Sequence, residues 1–442
     1  MNVIFFAIVA IAFLVAGVRQ AVWDGAGEMA PMEALGAAMI KAAEGSVTLA
    51  IGLIGVMALF LGLMKVAEAG GLLVIIARTV RPLMVRLFPE VPADHPAMGA
   101  IILNMSANAL GLGNAATPFG IRAMQELDRL NPAKGTASNA MVLFLAINTS
   151  SVTLLPTGVI ALRAAAGSAD PAGIVPTTLV ATICSTAVAI LSAKLLQRFV
   201  APPVPTAAET PAPEEVLPDF AEGGAGETAL EPDAAAALEG GSGAYPLWVS
   251  MTALGAIAGF VPLTVLYGRE IAPWIIPGLM VGLLSFGVAR RVRIYERFVE
   301  GAADGFRVAV RIIPYLVAIL VAVGMFRASG ALEMLIGPLG AATSLVGLPA
   351  EALPMALLRP LSGSGAYGVL ASIIQDPAIG PDSYTGYLVS TIQGSTETTF
   401  YVLAVYFGAV GIRRLRHAIP AALIADAAGI AGAVAITWAL FG

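Results

Sequence analysis

The chain alternates long apolar runs with short polar connections along its whole length. Apolar runs of about membrane-crossing length lie at residues 3–18, 46–66, 97–116, 137–162, 173–196, 246–268, 271–289, 307–327, 351–374, 385–411 and 418–441. A helix needs roughly 20 mostly apolar residues to cross a bilayer, so the pattern predicts an all-α polytopic membrane protein. No basic segment precedes the first run, which favours an uncleaved span over a signal peptide there.

The composition supports the same fold class. The chain is 58% hydrophobic and 12% charged, with a mean hydropathy of +0.86, whereas soluble domains are about 25% charged. Aromatic residues make up only 7% of the chain, and the runs are longer than barrel strands, which favours helices. The one cysteine, Cys184, lies inside an apolar run, so we expect no disulfide framework.

The connecting segments are of two kinds. Residues 70–88 and 331–345 are short and amphipathic, which is typical of segments that lie along the membrane interface. Residues 199–245 are rich in Pro, Ala, Glu and Gly and contain no Lys or Arg, a composition typical of a disordered linker. The linker divides the chain into a first half, 1–198, and a second half, 246–442, in which 246–268 is an extra span.

The two halves share the same order of features. Residues 64–70 align with 325–330, the polar segment 104–118 aligns with 359–368, and residues 140–151 align with 387–396. Each half therefore carries a span, an amphipathic piece, a broken apolar run and a run with a polar centre. Paired broken segments at matching positions indicate the binding site of a transporter built from inverted repeats.

The distribution of basic residues favours re-entrant broken runs. If runs 97–116 and 351–374 enter the membrane and return to the same side, 18 Lys and Arg lie on one side and 5 on the other, with Arg359 set aside inside its run. Full crossing by every run would divide them 13 to 10. Because basic residues collect on the cytoplasmic side, this arrangement predicts two inverted-topology repeats, with the N-terminus and the linker in the cytoplasm.

The segment 104–118 places polar side chains at membrane depth, where they are costly unless they pack in protein or line a polar cavity. Asn104 and Asn108 share a helix face, Gly111 allows a turn, and Pro118 is expected to open the next helix. Hydrogen bonding between helices is the structural alternative. We favour solute binding, because the polar side chains are more numerous than packing needs: Asn104, Ser106, Asn108, Asn114 and Thr117.

The matching segment of the second half, 359–368, is rich in glycine and hydroxyl groups. Its candidates for solute binding are Ser362 and Ser364, together with Arg359. An arginine there suits bidentate binding of an anion or carboxylate. It equally suits a buried ion pair with Glu397 or Glu351, and the sequence leaves both interpretations open.

A carboxyl group, that of Glu397, lies in the middle of run 385–411. A carboxyl at mid-span costs a few kcal/mol, which favours a coupling site for H⁺ or Na⁺ or a hydrogen-bonding site for solute over a purely structural role. Val152 takes the position of Glu397 in the first half, so the repeats differ there. Further candidates for solute binding near these centres are Gln393, Thr396 and Asn148.

Other chemistry is weakly represented. Asp426, in the last run, is a second and weaker candidate for ion coupling, since it also suits a contact between helices. His95 and His417 lie at the ends of runs and lack the spacing of metal ligands. The sequence has no phosphate-binding GxxxxGK[ST] loop and no arrangement typical of hydrolytic catalysis. We therefore expect no enzyme activity, no metal, no cofactor and no nucleic-acid partner.

The segments 104–118, 359–368 and 393–400 resemble motifs of the spore maturation protein A and B families. Residues 1–198 are similar to the A proteins and residues from about 246 to 442 to the B proteins, as if the two were fused. Both belong to the nucleoside recognition, or gate, family, whose relatives occur in concentrative nucleoside transporters and in the membrane part of the ferrous-iron transporter B. The resemblance implies a multi-pass protein of the bacterial inner membrane with a gate domain in each half, and related carriers suggest a homo-oligomer.

Two functions fit these features. The first is a secondary transporter of a small polar solute, nucleoside-like, amino-acid-like or a carboxylate, coupled to H⁺ or Na⁺ and bound at the midplane between the repeats. The second is a non-transporting membrane sensor or maturation factor of the cell envelope or spore. Solute flux separates the two, because a sensor binds its ligand without moving it.

Overall fold

The architecture is helical throughout the part of the chain that the computed structural model describes. That part comprises residues 2–25, 29–111, 113–200, 245–332, 334, 340 and 342–442. Within it there is no β-strand, and the only bridge of β type joins Thr136 to Arg414. Most of the predicted linker, 201–244, and part of the predicted amphipathic segment 331–345 lie outside the described residues.

The helices follow the apolar runs closely in the first half. They are α1 (Asn2–Ala21), α2 (Pro31–Ala69), α3 (Leu72–Leu87), α4 (Pro96–Ala109), α5 (Gly113–Arg129), α6 (Asn139–Thr149), α7 (Thr157–Ala165) and α8 (Ile174–Leu196). The second half contains α9 (Leu247–Ala289), α10 (Ile294–Ala328), α11 (Leu353–Leu358), α12 (Gly363–Ile374), α13 (Tyr384–Ser395), α14 (Thr399–Gly408) and α15 (Ala418–Phe441).

Several boundaries differ from the predicted ones. Helix α2 begins at Pro31 rather than at residue 46, because a polar but helix-favouring stretch continues it outward. Helix α9 joins two predicted spans through a kink at Tyr267 (φ −125°, ψ 18°). Pro118 does not open a helix: it lies inside α5, which starts directly after the left-handed turn at Gly111.

Three helical segments in the described part are long and apolar enough to cross a membrane by length and composition. They are Pro31–Ala69, Pro171–Leu196 and Ala418–Phe441. Shorter apolar helices account for other predicted runs, among them Asn139–Thr149 and Gly363–Ile374. Runs 137–162 and 385–411, predicted as single helices, are each interrupted near their polar centre.

The two halves interlock through pairs of helices, one from each half. Helix α2 packs along α10, and the backbones approach closely at glycines: a Cβ added at Gly305 would lie 2.6 Å from Ala58 Cα. Small residues permit such contacts between membrane helices. Helix α8 packs along α15 in the same way. Both large apolar clusters therefore draw buried side chains from both halves.

Candidate functional site

Four interruptions of helical structure lie together where the two halves meet. Each half supplies one turn and one break in a helix. The first turn (110–111) follows α4 and leads to α5, and the first break (150–156) separates α6 from α7. The second turn (359–362) joins α11 to α12, and the second break (396–398) separates α13 from α14. Non-helical backbone at this depth is tolerated only when it is buried in protein or lines a polar cavity.

The first break follows from its residues. Hydroxyl groups bond back to the last carbonyls of α6: Thr149 Oγ1 and Ser150 Oγ both donate to the Ala146 carbonyl, at 2.9 and 2.8 Å. Such local bonds compete with helix continuation. Pro156 has no N–H to donate and precedes α7. The chain therefore leaves the helix after Ser150 and resumes it at Thr157.

The second break is held by Arg359, which the sequence placed only as an anion ligand or an ion-pair partner. Its Nε donates to the Gln393 carbonyl at 3.0 Å, its Nη1 to Thr398 Oγ1 at 3.1 Å, and its Nη2 to the Thr396 carbonyl. These carbonyls end α13, where helical acceptors lack intrahelical donors and attract cations. Arg359 thus caps a helix end inside the bundle.

Backbone hydrogen bonds join the four interruptions to one another. The Leu154 N–H donates to the Ala109 carbonyl at 2.9 Å, linking the first break to the first turn. The Phe400 N–H donates to the Pro360 carbonyl at 3.2 Å, linking the start of α14 to the second turn. The Glu397 N–H donates to the Thr149 carbonyl at 2.9 Å, so the two breaks are also joined.

A buried amide network lies beside the first turn. Asn104 Nδ2 donates to the Ala116 carbonyl at 2.8 Å across the α4–α5 hairpin and lies 3.2 Å from the Tyr406 hydroxyl. That hydroxyl donates to Asn148 Oδ1 at 3.4 Å, and Asn108 Nδ2 donates to the same oxygen at 3.0 Å. Three asparagines predicted separately are therefore in one network, which spans both halves.

Two buried amide oxygens of the site have no hydrogen-bond partner among the described residues. They are Asn104 Oδ1 and Gln393 Oε1. The bond from Asn104 Nδ2 to a carbonyl fixes the orientation of that amide, so its free atom is an acceptor. Buried polar atoms without partners are rare and call for an explanation such as an absent ligand or water.

Glu397 differs from its neighbours in exposure. Its side chain is 46% exposed, whereas that of Arg359, whose Nη2 lies 3.7 Å from Glu397 Oε2, is 6% exposed. The preceding and following residues, Thr396 and Thr398, are buried. Of the two acids predicted as partners of Arg359, the one near it is therefore Glu397. Glu351 is exposed and lies in the short turn before α11. Glu397 is thus the accessible charge at the second break.

Asp426 adjoins the second break from α15. Its Oδ2 lies 2.7 Å from Thr399 Oγ1 on the first residue of α14, and its Oδ1 is buried without a partner among the described residues. In that part of the chain no cation lies within ion-pair distance of it. The structure therefore brings both predicted acids to one break: Glu397 lies within it and Asp426 contacts the residue that follows it.

The other predicted residues occupy local roles or fall outside the description. Ser106 Oγ donates to the Ile102 carbonyl at 2.7 Å within α4, and Ser362 caps α12 by accepting from the Gly365 N–H at 3.0 Å. Ser364 is partly exposed, 3.5 Å from Ser362 Oγ. Thr117 lies inside α5, and the side chain of Asn114 lies outside the described part.

Sequence reasoning did not single out two tyrosines at the centre. Tyr406 links Asn104 to Asn148, and Tyr367 lies beside Gln393 and against α7, where a Cβ at Gly158 would approach its hydroxyl to 2.7 Å. Each tyrosine lies within an apolar run, where the sequence gives no sign of the hydrogen bonds that its hydroxyl makes.

Comparison with known proteins agrees with this two-part arrangement. The nucleoside recognition (Gate) profile matches residues 50–166 and 309–413, two ranges that contain the two turns and the two breaks. The chain belongs to the nucleoside recognition (Gate) family. In this multi-pass membrane protein the profile thus matches one range in each half of the chain.

Two curated relatives each match part of this Gate protein. Spore maturation protein B of Bacillus subtilis (strain 168) is 46% identical over 177 residues, covering 39% of this chain and 98% of the relative. Spore maturation protein A of the same organism is 50% identical over 148 residues, covering 34% of this chain and 76% of the relative. These matches confirm the predicted resemblance to a fusion of the two. No solved structure matches the chain.

Proposed function

We propose that the chain is a secondary transporter that holds a small polar solute where the two turns and two breaks meet. The main support is Glu397: a carboxylate that is 46% exposed between buried neighbours, in the middle of the apolar run 385–411. An ionisable group at membrane depth faces a water-filled cavity or a partner rather than lipid. Helix interruptions beside such a group are the usual construction of transporter sites.

The polar atoms favour a solute that donates hydrogen bonds. Asn104 Oδ1 and Gln393 Oε1 are buried acceptors without partners, and the Glu397 carboxylate adds a third acceptor. The donors of Arg359 are engaged by chain carbonyls and a hydroxyl. Leaving a site's buried polar groups unpaired strongly disfavours a solute that lacks the matching groups. Nucleoside-like and amino-acid-like solutes therefore fit better than a carboxylate without donors.

Ion coupling is the role we propose for the two acids. Glu397 is the exposed carboxylate of the second break, and Asp426 contacts Thr399, the first residue of α14. A proton or Na⁺ that binds either acid would change the charge at the break and the stability of its conformation. The Asp426→Asn variant keeps the size of the side chain but removes the negative charge of its carboxylate.

The proposed membrane arrangement follows the sequence prediction. The two repeats have inverted topology in the bacterial inner membrane, with the N-terminus and the linker in the cytoplasm. The 18 to 5 division of basic residues supports this orientation. Fusing a periplasmic reporter and a cytoplasmic reporter to the two ends of the second half tests it, because the proposal puts them on opposite sides.

A ligand screen tests the site without knowledge of the solute. Purified protein is heated with individual nucleosides, amino acids and dicarboxylates, since a ligand that binds only the native state raises the melting temperature. The proposal expects stabilisation by a donor-bearing solute and its loss in Glu397→Gln. Glu351→Gln is the matched control, because this exposed glutamate lies away from the breaks.

Flux of the stabilising solute in proteoliposomes then separates the two functions. A transporter moves the solute, and Glu397→Gln and Asn104→Ala reduce its flux while Glu351→Gln does not. Binding without flux would refute transport and favour the sensor or maturation role suggested by the names of the relatives. Equal flux in all variants would place the transport path elsewhere.

A further inference from the structure

The loops at the two ends of the central site pair reciprocally. Loop 130–138, between α5 and α6 of the first half, contacts loop 409–417, between α14 and α15 of the second half. Loop 375–383, between α12 and α13 of the second half, contacts loop 166–173, between α7 and α8 of the first half. In each pair, one loop follows the two helices that flank a turn (α4–α5 or α11–α12). The other loop follows the two helices that flank a break in the other half (α13–α14 or α6–α7).

The first pair, which we name the first latch, is built mainly from backbone. The Arg413 and Arg414 N–H groups donate to the Gly135 carbonyl at 2.9 and 3.0 Å, and the Ala137 N–H donates to the Arg414 carbonyl at 3.0 Å. Arg416 Nη1 adds bonds to the Ala137 carbonyl and to Asn139 Oδ1. The first latch therefore fixes the start of α6 against the end of α14.

The second pair, the second latch, is built mainly from charged side chains. Arg163 is fully buried, and its Nη1 donates to the Pro381 carbonyl at 2.6 Å and its Nη2 to Asp382 Oδ1 at 3.0 Å. Ser168 Oγ and the Ala169 N–H donate to the same carboxylate. The guanidinium also lies 4.2 Å from the ring centre of Tyr387 on α13. Asp382 thus holds the start of α13 against the end of α7.

The latches lie at opposite ends of the broken helices. Helix α6 starts at the first latch and reaches the first break, and α7 continues from that break to the second latch. Helices α13 and α14 run the other way, from the second latch through the second break to the first. One latch thus lies at each end of the paired broken helices.

We propose that the two latches are the gates of the site and that each opens it to one side of the membrane. The inference rests on the proposed transport function, because alternating access needs a separate closure on each side. In this structure both latches are formed. Loosening one latch should expose the centre from that side only.

Side-specific labelling of a central cysteine tests the gates and needs no solute. The chain has one cysteine, so Cys184→Ser gives a cysteine-free background in which Glu397→Cys places a probe at the centre. Right-side-out and inside-out vesicles are treated with a membrane-impermeant maleimide. Arg163→Gln should raise the labelling rate several-fold from one side and Arg416→Gln from the opposite side. Arg307→Gln, at an exposed ion pair, should change neither.

Two milder variants keep the test decisive if a gate variant unfolds. Asp382→Asn removes only the negative charge of the second latch and should act from the same side as Arg163→Gln. A disulfide between Thr136→Cys and Arg414→Cys, at the bridged pair, should instead stop labelling from the side of the first latch, and reduction should restore it. The proposal would be overturned if variants of both latches raised the labelling rate from the same side. It would also be overturned if the disulfide left the labelling rate unchanged.

The outcome also separates this proposal from the transport function. Side-specific labelling without solute flux would retain the gates and refute transport. Flux that persists while both latches are cross-linked would retain transport and refute the gates.

Discussion

The Glu397 N–H donates to the Thr149 carbonyl at 2.9 Å, and this bond joins the interrupted helices of the two halves. It satisfies one backbone donor at the second break and one acceptor at the end of α6, both of which would otherwise lack partners in an apolar surrounding. A change of angle at one break therefore strains the other. This connection would give the proposed solute or ion at Glu397 a physical route to affect both halves.

Replacing Arg359 should destabilise the second break. In Arg359→Gln, the carbonyls of Gln393 and Thr396 lose their donor, and each unsatisfied buried acceptor costs about 1–3 kcal/mol. We expect a loss of about 2–5 kcal/mol, seen as a lower melting temperature in detergent. Arg359→Lys should recover only part of it, since an ammonium lacks the forked donor geometry.

Arg307→Gln is the control for that loss. This arginine pairs with Asp304 on an exposed face, with its side chain 70% exposed, and exposed pairs contribute about 0–1 kcal/mol. A melting temperature for Arg359→Gln equal to that of Arg307→Gln would show that Arg359 does not cap α13.

The positions of the two turns could be predicted from sequence because glycine and amide residues interrupt apolar runs there. Gly111, in the left-handed region with φ of 75°, marks the first turn directly. The family was predicted from the same segments. The sequence also placed Asn104 and Asn108 on one helix face, and the two do belong to one hydrogen-bond network. It did not predict that Asn148 and Tyr406, from other helices, join that network.

The two breaks could not be predicted, because their causes lie far apart in the chain. Ser and Thr are common within membrane helices, so the run 137–162 alone gives no reason to end α6 at Thr149. The break is stabilised by the bond from Leu154 to Ala109, and the second break by Arg359, some 34 residues before Gln393 in sequence. Tyr406 contacts Asn104 across 302 positions, which no local pattern reveals.

Gly111→Ala should be far more damaging than the same change at Gly71. Both glycines have left-handed φ values, 75° and 81°, so each alanine carries a similar backbone strain of about 1–2 kcal/mol. A Cβ at Gly71 meets nothing within 4 Å, whereas one at Gly111 overlaps the Leu155 carbonyl oxygen of the first break. Overpacking adds about 1–3 kcal/mol. Melting temperatures measure the difference; equal values would mean that the first turn does not press on the first break.

Gly305→Ala and Gly282→Ala should have opposite effects. Alanine normally stabilises a helix interior by about 0.5–1 kcal/mol relative to glycine, and a Cβ at Gly282 meets nothing within 4 Å. At Gly305 it would lie 2.6 Å from Ala58 Cα and 2.7 Å from Ala58 N, backbone atoms that cannot move aside, so α2 and α10 must separate. Thermal unfolding should show a loss for the first variant and a small gain for the second. Stabilisation by both would refute the close crossing.

His417, at the end of loop 409–417, should make this end of the bundle sensitive to acid. It is 2% exposed, and its ring bonds to the Ala193 carbonyl. Burial lowers the pKa of His417 below its usual 6.5, and the neighbouring Arg416 cation lowers it further. The unfolded chain therefore binds this proton more readily than the folded one.

Stability should consequently fall as the pH drops, and His417 should account for part of the fall. A histidine with a lowered folded pKa leaves stability intact above the unfolded value of about 6.5 and reduces it below that pH, by at most about 1.4 kcal/mol per pH unit. Melting temperatures between pH 8 and pH 5 should thus decline less in His417→Gln than in the native protein. The variant His95→Gln, which removes the other of the chain's 2 histidines, should keep the contribution of His417. If the slope below pH 6.5 is unchanged in His417→Gln, the acid response arises at another group and not at His417.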